Sequence, residues 1–172
     1  MRKNKVFIAC DTTDIKKLRK ILKETKNKKI IFGYKFGLEF LNSKNGRKFV
    51  GSLKKFITFG DYKFLDIPNT CSSAVRAVSD LNFNYITIHI SSGLNALKAA
   101  KKVAGTTKLV GVTILTSLNN KSLKQIGYSK SLQNIVKQQA RLASKANLDA
   151  VVCSSHEVKD VKKIFKKEII TP

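Results

Sequence analysis

Short apolar runs alternate with helix-like segments along this chain of 172 residues. Each run is five to ten residues long, as expected for strands that are buried on both faces of a parallel sheet. The runs are Val6–Cys10, Ile30–Phe36, Ile57–Phe64, Tyr85–Ile90, Lys108–Ser117, Ala150–Ser154 and Glu168–Pro172. The pattern therefore predicts seven strands.

The segments between these runs carry apolar residues at helical spacing, which predicts six amphipathic helices. Asp14 precedes the first segment and is expected to cap its helix, and Thr70 is expected to cap the helix after the third run. The longest of these helices is expected from about Ser131 to Ala146. Each predicted strand is thus followed by a helix, except the last.

Strict alternation of strands and helices predicts parallel strands, in either a doubly wound sheet or a barrel. No glycine-rich G-x-G-x-x-G follows the first strand, which counts against a dinucleotide-binding fold. Polar residues end the strands at Asp11, Lys35, Asp61, Lys63, His89 and Ser117. A (β/α)8 barrel builds its active site at this end of its strands. We therefore expect an α/β chain of the (β/α)8 TIM-barrel type.

This barrel is expected to be a single domain over residues 1–172. A complete barrel has eight strands, whereas the pattern supplies seven. The sequence thus predicts a chain that is truncated after the seventh strand, with the end of strand seven onward missing.

Composition adds a formal net charge of +23, from 34 Lys and Arg against 11 Asp and Glu. Such a charge attracts anionic partners, from nucleic acid to a phosphorylated metabolite. The lysines are spread along the whole chain, mostly on the polar faces of predicted helices. A nucleic-acid partner is therefore not expected, although a basic barrel that binds nucleic acid stays open as an alternative.

Three cysteines at Cys10, Cys71 and Cys153 are widely spaced and odd in number, which predicts neither a disulfide framework nor a zinc cluster. They are expected to act as small apolar residues. No apolar run approaches the ~20 residues of a membrane helix, so no membrane partner is expected. The cytoplasm is the expected location.

Candidate chemistry concentrates in Asp61-Tyr62-Lys63-Phe64-Leu65-Asp66, where two acids and a lysine end an apolar run. Side chains two residues apart share a face of a strand, so Asp61 and Lys63 are expected to point the same way. Alternating charges at strand ends hold one another ionised. They can present an ammonium and a carboxylate to a substrate without a metal or cofactor. A purely structural ion pair is the alternative.

The stretch Asp61-Tyr62-Lys63-Phe64-Leu65-Asp66-Ile67-Pro68-Asn69-Thr70 resembles the signature of the orotidine 5′-phosphate decarboxylase family. Other segments agree with that family in order and spacing. They are Asp11, Lys35–Phe40, Thr87–His89, Val112–Ser117, Ala150–Ser154 and Thr171-Pro172. The resemblance covers practically the whole chain.

The resemblance implies a cofactor-free decarboxylation of orotidine 5′-phosphate to uridine 5′-phosphate in pyrimidine biosynthesis, with no metal. Lys63 is then the proton donor to pyrimidine C6. Asp61 lies against the substrate carboxylate and holds Lys63 in place. Lys35 and Asp11 bind the ribose hydroxyls, and Lys35 extends the catalytic charge network.

The resemblance also implies a homodimer with shared active sites. Asp66, as a catalytic residue, and Thr70, as a substrate-binding residue, are then lent to the partner subunit. Ser117 contacts the pyrimidine base, and Ile67 also belongs to the substrate-binding residues.

Two positions depart from the family pattern. Leu65 stands where the family usually has histidine, and Tyr62 stands where it usually has leucine. In the family an arginine that grips the substrate phosphate follows the Thr171-Pro172 motif. A magnesium-dependent sugar-phosphate decarboxylase or aldolase of the same superfamily shares D-x-K-x-x-D and is the alternative enzyme.

Overall fold

The computed structural model describes residues 5–25 and 30–172. Seven strands occur in this part of the chain, and their order in the sheet follows the sequence. They are β1 Lys5–Ala9, β2 Ile31–Phe36, β3 Ile57–Phe64, β4 Tyr85–His89, β5 Lys108–Val112, β6 Ala150–Val152 and β7 Glu168–Ile170. The pairs β1–β2, β2–β3, β5–β6 and β6–β7 are parallel, which confirms the predicted strand direction for these pairs.

Eight α-helices occur in the same described residues. They are α1 Ile15–Glu24, α2 Leu38–Leu41, α3 Gly46–Gly51, α4 Pro68–Ala77, α5 Gly93–Val103, α6 Asn120–Gln125, α7 Leu132–Lys145 and α8 Val158–Ile164. Short 3₁₀ turns lie at Ser79–Leu81, Ile90–Ser92 and Ser155–Glu157. Two short helices, α2 and α6, were not predicted.

The fifth strand ends five residues earlier than the apolar run predicts. β5 stops at Val112, and the Thr113 hydroxyl donates to the carbonyl of Val152 at 2.9 Å. The chain then turns, with the Leu118 N–H donating to the carbonyl of Leu115 at 2.9 Å. The prediction of a strand to Ser117 was therefore wrong, because apolar side chains continue past the point where the strand ladder ends.

Of the two predicted helix caps, one is confirmed and one is wrong. A carboxylate oxygen of Asp14 accepts the N–H of Lys16 at 2.8 Å and caps α1 as expected. Helix α4, however, begins at Pro68, which places Thr70 in its first turn rather than at its cap. Proline suits the first helical position because that position needs no N–H donor.

Two compact units make up the chain. One contains the residues up to Tyr62 together with Val78–Ile86, and the other contains Lys63–Ala77 and Thr87–Pro172. The division passes through β3 and β4, so each of these strands contributes residues to both units.

An aromatic cluster packs the first unit. The Phe7 ring makes edge-to-face contacts with Phe59 and Tyr85, at centroid distances of 5.1 and 5.2 Å. Phe7 stands opposite Gly33 in the β1–β2 register. A Cβ at residue 33 would lie 2.6 Å from two Phe7 ring carbons, so glycine there lets the ring lie against β2.

Asp149 ties three elements of the second unit together. One of its carboxylate oxygens accepts from the Lys101 ammonium of α5 at 2.5 Å and from the Leu109 N–H of β5 at 2.8 Å. Asp149 itself immediately precedes β6. The carboxylate thus has both a cation and a backbone donor, which offsets the cost of removing it partly from water.

The three cysteines behave as the small apolar residues that were expected. Cys10, Cys71 and Cys153 are at most 1% exposed, and each is a free thiol. Burial raises the pKa of Cys10 and that of Cys153 to about 11, so both thiols stay protonated at neutral pH. Among the described residues, no helix combines the length and apolar character that a membrane span requires.

Close packing of β5 predicts that Gly111→Ala lowers the free energy of unfolding by about 1–3 kcal/mol. A Cβ at residue 111 would lie 2.7 Å from Leu148 and 2.8 Å from Ile90, both of them fully buried. Urea unfolding followed by circular dichroism measures the change.

Gly51→Ala is the matched control, because a Cβ there would meet only Leu81, at 3.8 Å, at the end of a helix. This variant is expected to be neutral or to stabilise by up to about 1 kcal/mol. Equal losses from both substitutions would contradict the packing argument.

Candidate active site

A partly buried ion pair joins the carboxyl-terminal halves of β2 and β3. The Lys35 ammonium donates to a carboxylate oxygen of Asp61 at 3.1 Å. Asp61 is 8% exposed as a whole residue; its side chain is 11% exposed and that of Lys35 is 28% exposed. Both residues were predicted as site residues, and the structure brings these two together.

The parallel register of β2 and β3 explains why these opposite charges lie close together. Lys35 stands opposite Phe59 in the β2–β3 pairing, two residues before Asp61. Because parallel strands carry their carboxyl ends to one edge of the sheet, the Lys35 side chain can reach along that edge to the carboxylate. The ion pair therefore depends on β2 and β3 being parallel neighbours in the sheet.

Asp11 lies just beyond β1 at the same edge. The Cys10 N–H donates to the carbonyl of Lys35 at 2.8 Å, which carries the β1–β2 pairing one residue past the strand. Asp11 itself is exposed, and one of its carboxylate oxygens would be 3.4 Å from a Cβ at residue 37. The Asp11 carboxylate thus lies close to the end of β2.

Tyr62, the last residue of β3 in the first unit, makes an aromatic contact. The Tyr62 ring lies edge-to-face on Phe83, with centroids 5.8 Å apart. Burial raises the pKa of Tyr62 to about 12, so its phenol remains neutral at physiological pH. Tyr62 therefore contributes an aromatic contact and no charge at this position.

Lys63, in the second unit, has a backbone φ of 52°, in the left-handed region. Its N–H donates to the hydroxyl oxygen of Thr87 at 2.8 Å. Side chains alternate between the two faces of a strand only while the backbone stays extended. Lys63 is left-handed, so the expectation that Asp61 and Lys63 share a face, which assumed an extended backbone, does not apply at Lys63.

The residues after β3 are exposed. A carboxylate oxygen of Asp66 accepts the N–H of Ile67 at 2.7 Å, and Asp66 and Thr70 both face solvent. Leu65 and Ile67 are 59% and 65% exposed, which is high for large apolar side chains. Ser117 is also exposed, in the turn beyond β5.

Two residues at these strand ends received no role from the sequence. Thr87 is a polar residue inside the apolar run of β4, and it is 1% exposed. A threonine within an apolar strand could have been recognised from the sequence, because a buried hydroxyl needs a hydrogen-bond partner. Gly37 gave no signal of its own, since its proximity to Asp11 depends on the fold.

A cavity of about 360 Å³ lies elsewhere in the second unit. Its lining includes Ile90, Tyr128, Lys130, Ile135 and Gln139, and none of the predicted site residues. Within residues 5–25 and 30–172, no cluster of three or more His, Cys, Asp or Glu side chains could hold a metal ion.

Comparison with known proteins identifies the family. The family model described as Orotidine 5'-phosphate decarboxylase / HUMPS family matches residues 4–172. A relative named orotidine 5′-phosphate decarboxylase, from Buchnera aphidicola subsp. Baizongia pistaciae, is 40% identical over 136 residues. This match covers 74% of the present chain and 58% of the relative's own length.

Two solved structures are similar to this chain. The orotidine 5′-phosphate decarboxylase from Lactobacillus acidophilus has a TM-score of 0.86 and 29% identity, covering 98% of this chain and 80% of that one. The orotidine 5′-monophosphate decarboxylase from Methanocaldococcus jannaschii, complexed with the inhibitor BMP, has a TM-score of 0.81 and 25% identity, covering 99% and 78%. These structures confirm the expected fold class, α/β of the (β/α)8 barrel type.

Burial of the Lys35–Asp61 pair predicts that Lys35→Met lowers the free energy of unfolding. A fully buried pair loses about 3–5 kcal/mol when one partner is removed, and the partial exposure of Lys35 reduces the expected loss to about 1–3 kcal/mol. Urea unfolding at neutral pH measures it.

Asp61→Asn in the Lys35→Met background completes a double-mutant cycle. We expect the double variant to lose at least about 0.5 kcal/mol less than the sum of the single variants, because each single variant already removes the same ion pair. Strict additivity would mean that the two side chains do not stabilise one another.

Proposed function

The chain belongs to the orotidine 5′-phosphate decarboxylase / HUMPS family, and on that premise we propose that it performs the cofactor-free decarboxylation of orotidine 5′-phosphate to uridine 5′-phosphate. The observation that carries this proposal is the partly buried Lys35–Asp61 pair, followed two residues later by Lys63 in a left-handed conformation. The activity is proposed for the gene product that contains this chain, as a cytoplasmic enzyme of pyrimidine biosynthesis.

Lys63 is the proton donor in this proposal. When carbon dioxide leaves, the electrons of the broken C–C bond remain on C6 of the pyrimidine. A preorganised ammonium stabilises that developing negative charge, and its proton then forms the new C6–H bond. The amine recovers a proton from solvent before the next turnover.

Asp61 opposes the substrate carboxylate in this proposal, and Lys35 holds Asp61 in place. The Lys35 ammonium donates to a carboxylate oxygen of Asp61 at 3.1 Å, which fixes the position of that carboxylate. Lys35 and Asp11 also bind the ribose hydroxyls. Binding energy from groups remote from C6 offsets the cost of bringing two carboxylates together.

A homodimer with shared active sites completes the proposal. Asp66 and Thr70 are exposed, and they are flanked by the exposed apolar side chains of Leu65 and Ile67. Apolar side chains grouped at the surface are typical of a surface that another protein covers. In this arrangement Asp66 and Thr70 reach the partner's substrate, Ile67 is a further substrate-binding residue, and Ser117 contacts the pyrimidine base.

Lys63→Ala is expected to lower kcat for orotidine 5′-phosphate by at least about 10³-fold, because it removes both the proton donor and the stabilising charge. The fall of orotidylate absorbance measures turnover in the complete gene product. Lys98→Ala, on the exposed face of α5, is the control and is expected to keep wild-type activity.

The same assay distinguishes the alternative enzyme. We expect activity to survive a chelator such as EDTA, since the proposed reaction uses only side chains. Activity that disappears with EDTA and returns with magnesium would favour the sugar-phosphate reaction instead. Full turnover in Lys63→Ala would exclude the role proposed for Lys63.

Sharing of sites across the dimer predicts complementation between two inactive variants. Lys63→Ala and Asp66→Asn subunits, unfolded together and refolded as a 1:1 mixture, form mixed dimers in which one site keeps both residues. The mixture is then expected to regain about a quarter of wild-type activity. Each variant refolded alone is the control, and a mixture without activity would place Lys63 and Asp66 of one site on one subunit.

A further inference from the structure

Lys63 occupies a backbone conformation that lysine rarely adopts. Its φ of 52° lies in the left-handed region, although the residue belongs to β3. Elsewhere in the described chain, the other non-glycine residues with positive φ are Asn82 and Asn147, and asparagine tolerates this region. For a lysine the left-handed conformation is energetically unfavourable, so something in the fold must offset that cost.

The Thr87 hydroxyl is placed to do so. A left-handed residue no longer presents its N–H along the regular strand ladder, and a buried N–H without an acceptor is costly. The Thr87 hydroxyl oxygen accepts the Lys63 N–H at 2.8 Å. Thr87 is 1% exposed, so this hydrogen bond is shielded from competing water.

Thr87 is also a rigid support. It lies in the middle of β4, where its neighbours Ile86 and Ile88 are at most 1% exposed. Its β-branched side chain has few accessible rotamers in a strand. The acceptor atom is therefore fixed relative to β4.

We propose that Thr87 is a positioning residue, which holds Lys63 in its left-handed conformation through the backbone N–H and thereby sets the direction of the Lys63 ammonium. This inference rests on the proposed function, because the ammonium needs a set direction only if it delivers a proton. Thr87 itself does not touch the reacting atoms. Its loss alters where the ammonium lies and not whether the substrate binds.

Two substitutions at residue 87 separate the hydrogen bond from the shape. Thr87→Val keeps the branched shape and removes the acceptor, whereas Thr87→Ser keeps the acceptor. Thr58→Val is the matched control. It replaces another buried threonine of the same sheet, 3% exposed and near the amino end of β3, which has no role in the site.

The experiment measures kcat, KM and the affinity for uridine 5′-phosphate in the complete gene product, together with amide exchange at Lys63. For Thr87→Val we expect kcat to fall by about 10- to 100-fold, the effect of misplacing a catalytic group by about 1 Å. KM and product affinity stay within about twofold, and the Lys63 amide exchanges faster. Thr87→Ser restores both kcat and slow exchange, and Thr58→Val leaves both unchanged.

Wild-type kcat in Thr87→Val would overturn the inference while leaving the proposed function intact. So would a loss that Thr87→Ser does not restore, or one that Thr58→Val reproduces, since either result means that Thr87 only stabilises the fold. A wild-type protein with no decarboxylase activity would instead reject the proposed function, and this inference with it.

Discussion

A carboxylate buried at the end of a parallel strand must be compensated, and in this protein that requirement links the sheet to the site. Asp61 is 8% exposed, and its compensation comes from Lys35 on the neighbouring strand, at 3.1 Å. The pair can form only because β2 and β3 run parallel in a register that carries both residues to one edge. Stability and chemistry therefore depend on the same contact, since losing either charge removes an ion-pair partner of the other.

Side-chain packing also stabilises the register between β1 and β2. The Phe7 ring lies against Gly33 of the neighbouring strand and contacts Phe59 and Tyr85, so a shift of one residue between β1 and β2 would place a side chain where the ring lies. In the second unit Asp149 connects α5 and β5 to the start of β6 through one carboxylate. Both arrangements use specific side chains to hold neighbouring elements together.

The large positive charge is distributed rather than concentrated at the proposed site. The chain has 34 basic and 11 acidic residues, and several acids form ion pairs with lysine or arginine, as in Arg47–Asp80, Lys108–Glu168 and Lys137–Asp160. These pairs are partly or largely exposed, so each contributes little to stability. The Lys35–Asp61 pair differs from them because its carboxylate is buried.

The alternation of apolar runs and helical periods predicted seven strands, parallel pairing and the barrel class, because these depend on patterns that each segment carries by itself. The charged residues at the strand ends were predictable for the same reason, and so was the likeness to the decarboxylase family. The end of β5 and the cap predicted at Thr70 were wrong, since apolar side chains continue past the strand and Pro68 starts the helix earlier. Only the tertiary structure decided how Lys63 is held: its left-handed backbone and its hydrogen bond to Thr87 join residues 24 positions apart. No local sequence pattern predicts that contact, because the unfavourable backbone conformation is at Lys63 and the hydrogen bond that offsets it comes from Thr87.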